Sequence, residues 1–258
     1  MKKLFVLIYG SLGYLLGSAS LVYLIAFLFN LLPLVGPIHG IDTGESGNPY
    51  LAVVINLGLI IMFGLQHSVM ARPRFKRWLQ KFLPQAAERA SYMLATAVVV
   101  FALCLLWQPQ TGVVWEAENS TFAAVLLAVG LGGWALVLYS TFLINHFDLF
   151  GLRQVWLHFR NRDYSPLPFQ ANALYRFIRH PIMTGAFIGI WATPVMTTGH
   201  LLFAMGMSVY ILIGVYHEEK DLVRDFGERY LRYRQETGRF LPQFGSALRG
   251  RDSTQAHT

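Results

Sequence analysis

The chain has 258 residues, of which 54% are hydrophobic and only 14% are charged, and its mean hydropathy is +0.43. So few polar side chains cannot coat a water-soluble globule of this size, which argues against an ordinary soluble enzyme. The aromatic content of 14% and the scarcity of charge exclude a disordered chain. The net charge of +7 can be interpreted only after the basic residues are located along the chain. The single cysteine, Cys104, makes no intrachain disulfide.

Long apolar runs predict an all-α fold, a polytopic bundle of transmembrane helices. A hydrocarbon core of about 30 Å requires about 20 apolar helical residues. Four runs that contain no Lys, Arg, Asp or Glu meet or approach this length, at 4–32, 51–71, 92–107 and 122–147. Two shorter runs flank a turn-like Thr-Thr-Gly-His stretch and predict a short C-terminal helical hairpin that need not cross the whole bilayer, at 182–196 and 201–216.

The first run is expected to be a retained anchor rather than a cleavable signal peptide. Its apolar stretch continues for twelve residues past the small-residue triplet that ends at Ser20. Gly13 and Gly17 give this helix a small-residue face for packing against another helix. The sequence has no internal repeat and no linker between apolar cores. We therefore expect a single integral membrane domain, 1–244, followed by a polar, disordered tail, 245–258.

The charges predict how the bundle is oriented. All 21 Lys and Arg lie in four segments, namely the first three residues, 72–89, 153–179 and 220–251. The loops at 33–50 and 108–121 carry acidic residues but no basic ones. Under the positive-inside rule, both the N- and the C-terminus therefore face the cytoplasm. The excess positive charge indicates contact with anionic membrane lipid, and we expect no nucleic-acid partner.

Titratable residues gather at the predicted cytoplasmic ends of the spans. Four histidines and eight other polar residues are expected at this level: His67, His146, His180, His217, Gln66, Asn145, Asp148, Arg153, Arg176, Arg179, Glu218 and Glu219. Ionisable groups are costly at membrane depth, so the clustering indicates a functional site. An interfacial role remains an alternative for any single histidine. A metal or haem site is another alternative, although no HxxxH, HxxH or CxxC spacing supports it.

Two other patterns are weak indications of chemistry. Ser68 follows His67, but adjacent residues point about 100° apart on a helix, so the two do not form a nucleophile–base pair by themselves. Three glycines lie inside a predicted span instead of after a strand, namely Gly130, Gly132 and Gly133. Their position favours close helix packing over a dinucleotide-binding loop.

The C-terminal quarter carries the densest pattern. Arg179 and His180 precede the first arm of the predicted hairpin, and Pro181 suits its first turn. The second arm leaves the membrane through Glu218 and Glu219, which are candidates for binding a cationic ligand or a basic loop. Side chains on one helical face then recur at Glu219, Leu222, Phe226, Tyr230 and Tyr233. On spacing alone, this stripe is more typical of packing than of a cofactor platform.

These C-terminal motifs resemble a known family. The succession RHPxxxG, a short hairpin, EExxLxxxFGxxYxxY and RFLP, over 175–242, resembles the membrane-integral methyltransferases, which include isoprenylcysteine carboxyl methyltransferase and the bacterial phospholipid methyltransferases. Upstream, the stretches QHSVMARP at 66–73 and NHFDLFGLRQ at 145–154 resemble the bacterial methanethiol S-methyltransferase family. This second resemblance extends over nearly the whole chain.

The resemblance implies a thiol S-methyltransferase that transfers a methyl group from S-adenosylmethionine to methanethiol, which yields dimethyl sulfide and S-adenosylhomocysteine. Carried over residue by residue, it implies six cofactor-binding residues: a loop of Arg179, His180 and Gly185, the carboxylates Glu218 and Glu219 at the methionyl or ribose end, and Tyr230 lining the pocket. The loop is often RHPxY in relatives, whereas Met183 stands here in place of the tyrosine. No resident metal is expected.

The chemistry calls for a thiolate, because the thiol is a far weaker nucleophile. We expect His146 to accept the thiol proton while Asp148 orients the imidazole, and His67 is the second choice for this base. A water-poor membrane pocket favours a reaction in which a thiolate and a sulfonium neutralise each other. Alignment of the two sulfur atoms with the methyl carbon would supply most of the remaining acceleration.

Other functions stay open on the sequence alone. A lipid or prenyl acceptor would need a lateral opening between helices, whereas methanethiol fits a small closed pocket. The four inner histidines, and some resemblance of the QHS segment to membrane carotene isomerases, suggest a haem-binding isomerase or redox protein. A scaffold or transporter is less favoured, because the polar residues gather at one face. The preferred reading is an enzyme of the bacterial inner membrane with its site facing the cytoplasm and its oligomeric state open.

Overall fold

The computed structural model describes residues 2–32, 39–45, 47–168 and 171–243. The helices are α1 Lys2–Leu28, α2 Pro49–Ala71, α3 Pro73–Leu79, α4 Glu88–Leu106, α5 Ser120–Ile144, α6 His146–Leu149, α7 Leu152–Phe159, α8 Pro181–Trp191, α9 Thr198–Phe226 and α10 Glu228–Glu236. Two strands, β1 Val113–Glu116 and β2 Val195–Thr197, and two 3-10 turns, Gln85–Ala87 and Ala173–Arg176, complete the elements. The predicted tail, 245–258, and the domain boundary at 244 lie outside the described residues.

Side-chain caps and glycine set several of the helix boundaries. Asn48 caps α2, because its side-chain oxygen accepts hydrogen bonds from two N–H groups of the first turn at 3.0 and 3.2 Å. Pro49 occupies the first turn of the same helix, where its missing N–H costs nothing. Asn119 caps α5 in the same way as Asn48. Gly227 has φ +54°, a conformation that favours glycine, and it separates α9 from α10.

Five helical segments of the described chain are long and apolar enough to cross a membrane: α1, α2, Gln85–Leu106, α5 and α9. The all-α polytopic bundle and its four long spans are thereby confirmed. The hairpin's second arm is longer than predicted, because α9 is one helix of 29 residues that continues to Phe226. The charged residues at its C-terminal end are good helix formers, so the helix continues after the apolar run ends. The first arm, α8, has 11 residues and spans only about 16 Å.

The surface of the spans is apolar, and a buried polar side chain in α2 is paired with backbone, as a lipid solvent favours. Large side chains such as Val22 and Val54 are exposed. In contrast, Asn56 is fully buried and exchanges hydrogen bonds of 2.8 and 2.9 Å with the backbone of Gln108. This pairing joins α2 to the loop that follows α4. The cytoplasmic orientation of the two termini stays a prediction.

Glycines allow the two closest helix pairs, α1 with α4 and α5 with α8. A Cβ on Gly13 would lie 2.9 Å from the carbonyl oxygen of Ala90, so the predicted small-residue face of α1 packs on α4. On the other pair, a Cβ on Gly133 would lie 2.6 Å from the backbone nitrogen of Gly189. A Cβ on Gly185 would lie 2.5 Å from the carbonyl oxygen of Gly133. The packing interpretation of the glycines in α5 is confirmed at Gly133.

A small sheet and a buried polar network lie at the opposite end of the bundle from the C-terminal motifs, and neither was predicted. Strand β1 pairs antiparallel with β2. Beside them, the carboxylate of Asp42 accepts hydrogen bonds from Thr197 at 2.5 Å and Asn30 at 2.8 Å, and it lies 3.6 Å from His200. Burial opposes the charged form, but the nearby imidazole of His200 and the hydrogen bonds from Thr197 and Asn30 outweigh it and lower the pKa of Asp42. This network ties the end of α1 to β2 and α9.

The α5–α8 contact generates a prediction with a matched control. Gly133→Ala should lower the free energy of unfolding by about 1–3 kcal/mol, because its Cβ would collide with the backbone of α8. Gly132→Ala is the control, since a Cβ there would meet no described atom within 4 Å and alanine favours helix. The measurement is thermal unfolding of both variants in one detergent. Equal melting temperatures for the two variants would contradict the packing assigned to Gly133.

Candidate functional site

Backbone pairing brings the RHP motif next to the C-terminal RFLP motif. The N–H of Arg179 donates to the carbonyl of Gly238 at 2.8 Å, and the N–H of His180 donates to the carbonyl of Arg239 at 3.2 Å. In return, the N–H of Gly238 donates to the carbonyl of Phe177 at 3.2 Å. The pairing sets the side chains of Arg179 and His180 beside α9, where the two adjacent glutamates lie.

Glu219 is the centre of a group that we call the Glu219 cluster, formed by Arg179, His180, Glu218, Glu219 and Arg239. Its side chain is only 5% exposed. Its Oε1 accepts from Arg179 Nε at 2.9 Å and lies 3.3 Å from His180 Nε2, while its Oε2 accepts from Arg239 Nη2 at 3.0 Å. A buried carboxylate needs such compensation. Protein groups therefore already occupy both oxygens of Glu219.

Glu218 occupies a different environment from its neighbour. Its side chain is 51% exposed, and its Oε2 lies 3.4 Å from Nδ1 of His180. Successive residues on a helix point about 100° apart, so one glutamate faces the protein and the other faces outward. Within the cluster, Glu218 is accordingly the carboxylate that is accessible to a cationic ligand.

Three tyrosines line the side of the cluster towards α5. Burial raises the pKa of Tyr230 to about 12, and the charge of Glu219 adds to this effect. The hydroxyl of Tyr233 donates to the carbonyl of Tyr175 at 2.6 Å. The hydroxyl of Tyr175 donates in turn to the carbonyl of Ser140 at 3.4 Å. These bonds link α10, the 3-10 turn that contains Tyr175, and the C-terminal end of α5.

The second group, which we call the His146 cluster, follows directly after this end of α5. Phe142 and Phe150 stack on the two sides of the imidazole at centroid distances of 4.2 and 4.5 Å. Thr141 Oγ1 lies 2.8 Å from His146 Nδ1, and Tyr14 Oη of α1 lies 3.1 Å from His146 Nε2. The cluster comprises Tyr14, Thr141, Phe142, His146 and Phe150, and it holds the imidazole in one orientation.

The hydrogen bonds assign the tautomer of His146. The hydroxyl of Thr141 donates its single proton to the carbonyl of Leu138 at 2.7 Å, so its oxygen accepts from Nδ1–H of His146. Nε2 is then the basic nitrogen, and it accepts from the hydroxyl of Tyr14. Burial lowers the pKa of His146 below its ordinary value. The neutral imidazole is therefore the form present near pH 7, and it can accept a proton at Nε2.

Asp148 does not have the partner that we expected from the sequence. Its Oδ1 accepts from Arg153 Nη1 at 2.7 Å, and its Oδ2 accepts from the hydroxyl of Tyr164 at 3.4 Å. Within the described residues, Thr141 rather than Asp148 occupies Nδ1 of His146. The arrangement in which Asp148 orients His146 is thus not the observed one. Both residues belong to the single turn of α6, and its geometry directs Asp148 towards α7.

His67 lies in a separate aromatic environment between α2, α4 and α9. Its ring stacks on Phe63 at 5.2 Å and contacts Tyr92 at 4.8 Å and Tyr210 at 6.2 Å between ring centroids. Its buried Nδ1 has no hydrogen-bond partner among the described residues. His67 and His146 are therefore distinct candidates for a base, since each has its own surroundings.

Two further predicted residues lie outside the Glu219 cluster. Gly185 packs against α5 at the α5–α8 contact, and its role in a cofactor loop stays a prediction. His217 is exposed and contacts Tyr216. Across the described parts of the chain, no group of three or more His, Cys, Asp or Glu is placed to hold a metal ion. His67, His146 and His180 lie in three separate environments.

Sequence reasoning missed several residues that shape the two clusters. Tyr14 lies on α1, 132 positions before its partner His146, and nothing local in the sequence connects them. Thr141 is an ordinary hydroxyl inside an apolar run. Arg239, in contrast, stands in the RFLP motif, and that motif was the available signal for its role.

Similarity to known proteins extends over nearly the whole chain. The chain matches no family model, and no solved structure shows significant similarity to it. It is 43% identical over 242 residues to the methanethiol S-methyltransferase of Mycobacterium tuberculosis, covering 94% of this chain and 98% of the relative. It is 39% identical to that of Crocosphaera subtropica over 95% and 94% of the two chains. Nurim of Bos taurus is more distant, at 26% identity over 84% of this chain and 88% of Nurim.

Identity of about 40% over nearly the full length of both partners places the whole bundle, and not only the C-terminal motifs, in common descent with the first two relatives. The motifs of the Glu219 cluster and the NHFDLF segment of the His146 cluster lie within a chain that aligns almost from end to end. The chain belongs to the methanethiol S-methyltransferase family.

Proposed function

We propose that this protein transfers the methyl group of S-adenosylmethionine to methanethiol and releases dimethyl sulfide. The observation that carries the proposal is the Glu219 cluster, in which motif residues from three segments converge and leave one glutamate accessible. The names of the relatives support methanethiol as the acceptor. Basic residues flank these helix ends, which supports a site on the cytoplasmic face of a bacterial inner membrane.

The Glu219 cluster has the donor and acceptor groups that such a cofactor needs. When bound, S-adenosylmethionine supplies an electrophilic methyl group on a sulfonium, and it also carries an ammonium and a carboxylate. Glu218 would bind the cationic ammonium, and the half-exposed guanidinium of Arg239, anchored on Glu219, would bind the carboxylate. Arg179 and His180 fix the position of these two residues through their contacts with Glu219 and Glu218, and the buried Tyr230 would line the cofactor site.

The His146 cluster would activate the thiol through Tyr14. Thr141 covers Nδ1 of His146, two phenylalanines cover the faces of the ring, and the hydroxyl of Tyr14 covers Nε2. The S–H proton therefore passes to Oη of Tyr14 while the phenolic proton passes to Nε2 of His146. The thiolate that results would attack the methyl carbon, the bond from that carbon to the sulfonium sulfur would break, and S-adenosylhomocysteine would leave. The imidazolium would keep the proton until dimethyl sulfide is released.

Asp148 and His67 have secondary places in this proposal. Asp148, paired with Arg153 and Tyr164, holds the turn that follows α5 and so supports His146 from outside the cluster. His67 is the second candidate for the base, because its buried Nδ1 is available for a proton. The two candidate bases lead to different predictions, because only His146 is hydrogen-bonded to Tyr14.

The reaction itself is tested with purified protein in detergent. We expect dimethyl sulfide in the headspace, measured by gas chromatography, when S-adenosylmethionine and methanethiol are both supplied. Boiled protein and omission of either substrate serve as controls. If protein that binds the cofactor by calorimetry forms no dimethyl sulfide, methanethiol is the wrong acceptor, and prenyl and phospholipid acceptors are tested next.

The two glutamates should respond differently to the same substitution. Glu218→Gln should weaken binding of S-adenosylmethionine about tenfold or more while leaving the melting temperature unchanged, because it removes an accessible charge. Glu219→Gln should cost about 3 kcal/mol of stability, because Arg179 loses its buried charged partner. Calorimetric titration and thermal unfolding measure the two effects. Cofactor affinity that is unchanged in Glu218→Gln would refute the role given to Glu218.

The proton path predicts that Tyr14→Phe and His146→Gln each lower kcat about 10²- to 10⁴-fold while cofactor affinity is retained. The double variant should be no slower than the slower single variant, because both residues serve one transfer. His67→Gln is the matched control and should keep most of the activity. Loss of activity in His67→Gln together with a near-normal rate in His146→Gln would instead identify His67 as the base.

The pH dependence of the same reaction follows from the state of His146. The base must be neutral, so activity falls as the pH drops through the pKa of His146. Burial lowers this pKa, so the acidic limb of kcat should have its midpoint below about 6.5, the ordinary value for histidine. The residual activity of His146→Gln should lack this limb. If His146→Gln keeps the same acidic limb of kcat, then that limb reports the titration of another group.

A further inference from the structure

A groove of about 790 Å³ lies between the first turns of α1 and the segment that joins α3 to α4. Apolar side chains form most of its wall: Phe5, Val6, Tyr9, Phe82, Leu83 and Ala87. Lys2 and Lys81 line the same groove. Among the described residues, neither lysine has an acidic partner in an ion pair. The groove thus combines an apolar wall with two cations whose charge the surrounding protein does not neutralise.

A second groove, of about 590 Å³, adjoins the first and shares Gln80 and Pro84 with it. Its charged lining residues are four cations and two carboxylates: Lys76, Arg77, Arg89, Arg162, Glu88 and Asp163. Only one of these carboxylates, Glu88, forms an ion pair within the described part of the chain, with Lys76 at 3.0 Å. The two grooves together therefore present a positive surface next to an apolar one. Neither groove includes a residue of the Glu219 or the His146 cluster.

Exposed aromatic residues mark this region as a membrane interface. Phe5 is 64% exposed and Phe82 is 69% exposed. Trp78 is also exposed and packs against Phe82 at 5.4 Å between ring centroids. Tryptophan beside lysine at the end of a spanning helix is typical of the depth at which lipid headgroups lie. An amphiphile that enters the apolar groove would therefore have its headgroup level with Lys2 and Lys81.

We propose that these grooves form a binding site for an anionic phospholipid. An acyl chain lies along the apolar wall between α1 and Phe82, and the phosphate is bound by Lys2 and Lys81. The basic residues of the second groove add attraction for the anionic headgroup. This site is separate from the proposed catalytic clusters, and it would hold the start of α1, the helix that carries Tyr14, against the segment before α4.

The test uses native mass spectrometry of the full chain in detergent with added dioleoyl phosphatidylglycerol. Lys2→Gln/Lys81→Gln should weaken lipid retention about 25-fold, since each basic residue near an anionic surface contributes about fivefold. Lys3→Gln/Arg74→Gln is the control, because it removes the same charge from exposed positions outside both grooves. The control should retain the lipid as the wild type does, and equal melting temperatures establish that both double variants are folded.

Three results would overturn the proposal. Equal loss of lipid in both double variants would mean that general surface charge attracts it. Equal retention of dioleoyl phosphatidylcholine by the wild type would remove the requirement for an anionic headgroup. Displacement of the lipid by millimolar glycerol 3-phosphate would identify a site for free phosphate instead. Retention that is selective for phosphatidylglycerol, resists glycerol 3-phosphate and depends on Lys2 and Lys81 would establish the lipid site.

Discussion

The buried carboxylate of Glu219 is the interaction on which the proposed cofactor side depends. A charged group that is 5% exposed at the end of a membrane helix is stable only if opposite charges and hydrogen-bond donors surround it. Arg179 and Arg239 meet that need, and each comes from a different segment of the chain. Glu219 thereby fixes the segment before α8 and the segment after α10 against α9. The accessible position of Glu218 follows from this arrangement.

Near the Glu219 cluster, hydrogen bonds to backbone carbonyls connect α10 to the C-terminal end of α5. Tyr233 and Tyr175 extend hydrogen bonds from α10 to Ser140, which precedes Thr141 on α5. Thr141 then orients His146. Because lipid cannot satisfy these polar groups, each must find a protein partner, and the partners form a chain across the bundle. A rigid link of this kind suits a reaction that depends on the alignment of three atoms.

The sequence predicted what depends on local composition. Apolar runs located the spans, because bilayer thickness imposes their length. The RHP and EE motifs located four of the five residues of the Glu219 cluster. Local sequence patterns did not reveal contacts between distant helices, so Tyr14 was missed although it contacts His146. Asp148 was given the wrong partner, because proximity in sequence does not determine direction within a one-turn helix. The close contact of Gly185 with α5 depends on how two distant helices pack, so it could not be derived from local sequence either.

The two adjacent glutamates illustrate how one motif can serve structure and ligand binding at once. A turn of about 100° per residue directs Glu219 towards the protein and Glu218 away from it. The side chain of Glu219 is therefore 5% exposed and that of Glu218 is 51% exposed, although their chemistry is the same. A buried carboxylate that is fully paired has little capacity left for a ligand, whereas an accessible one keeps that capacity. His180 lies 3.3 Å from Glu219 and 3.4 Å from Glu218, and it therefore couples the structural carboxylate to the one that would bind the cofactor.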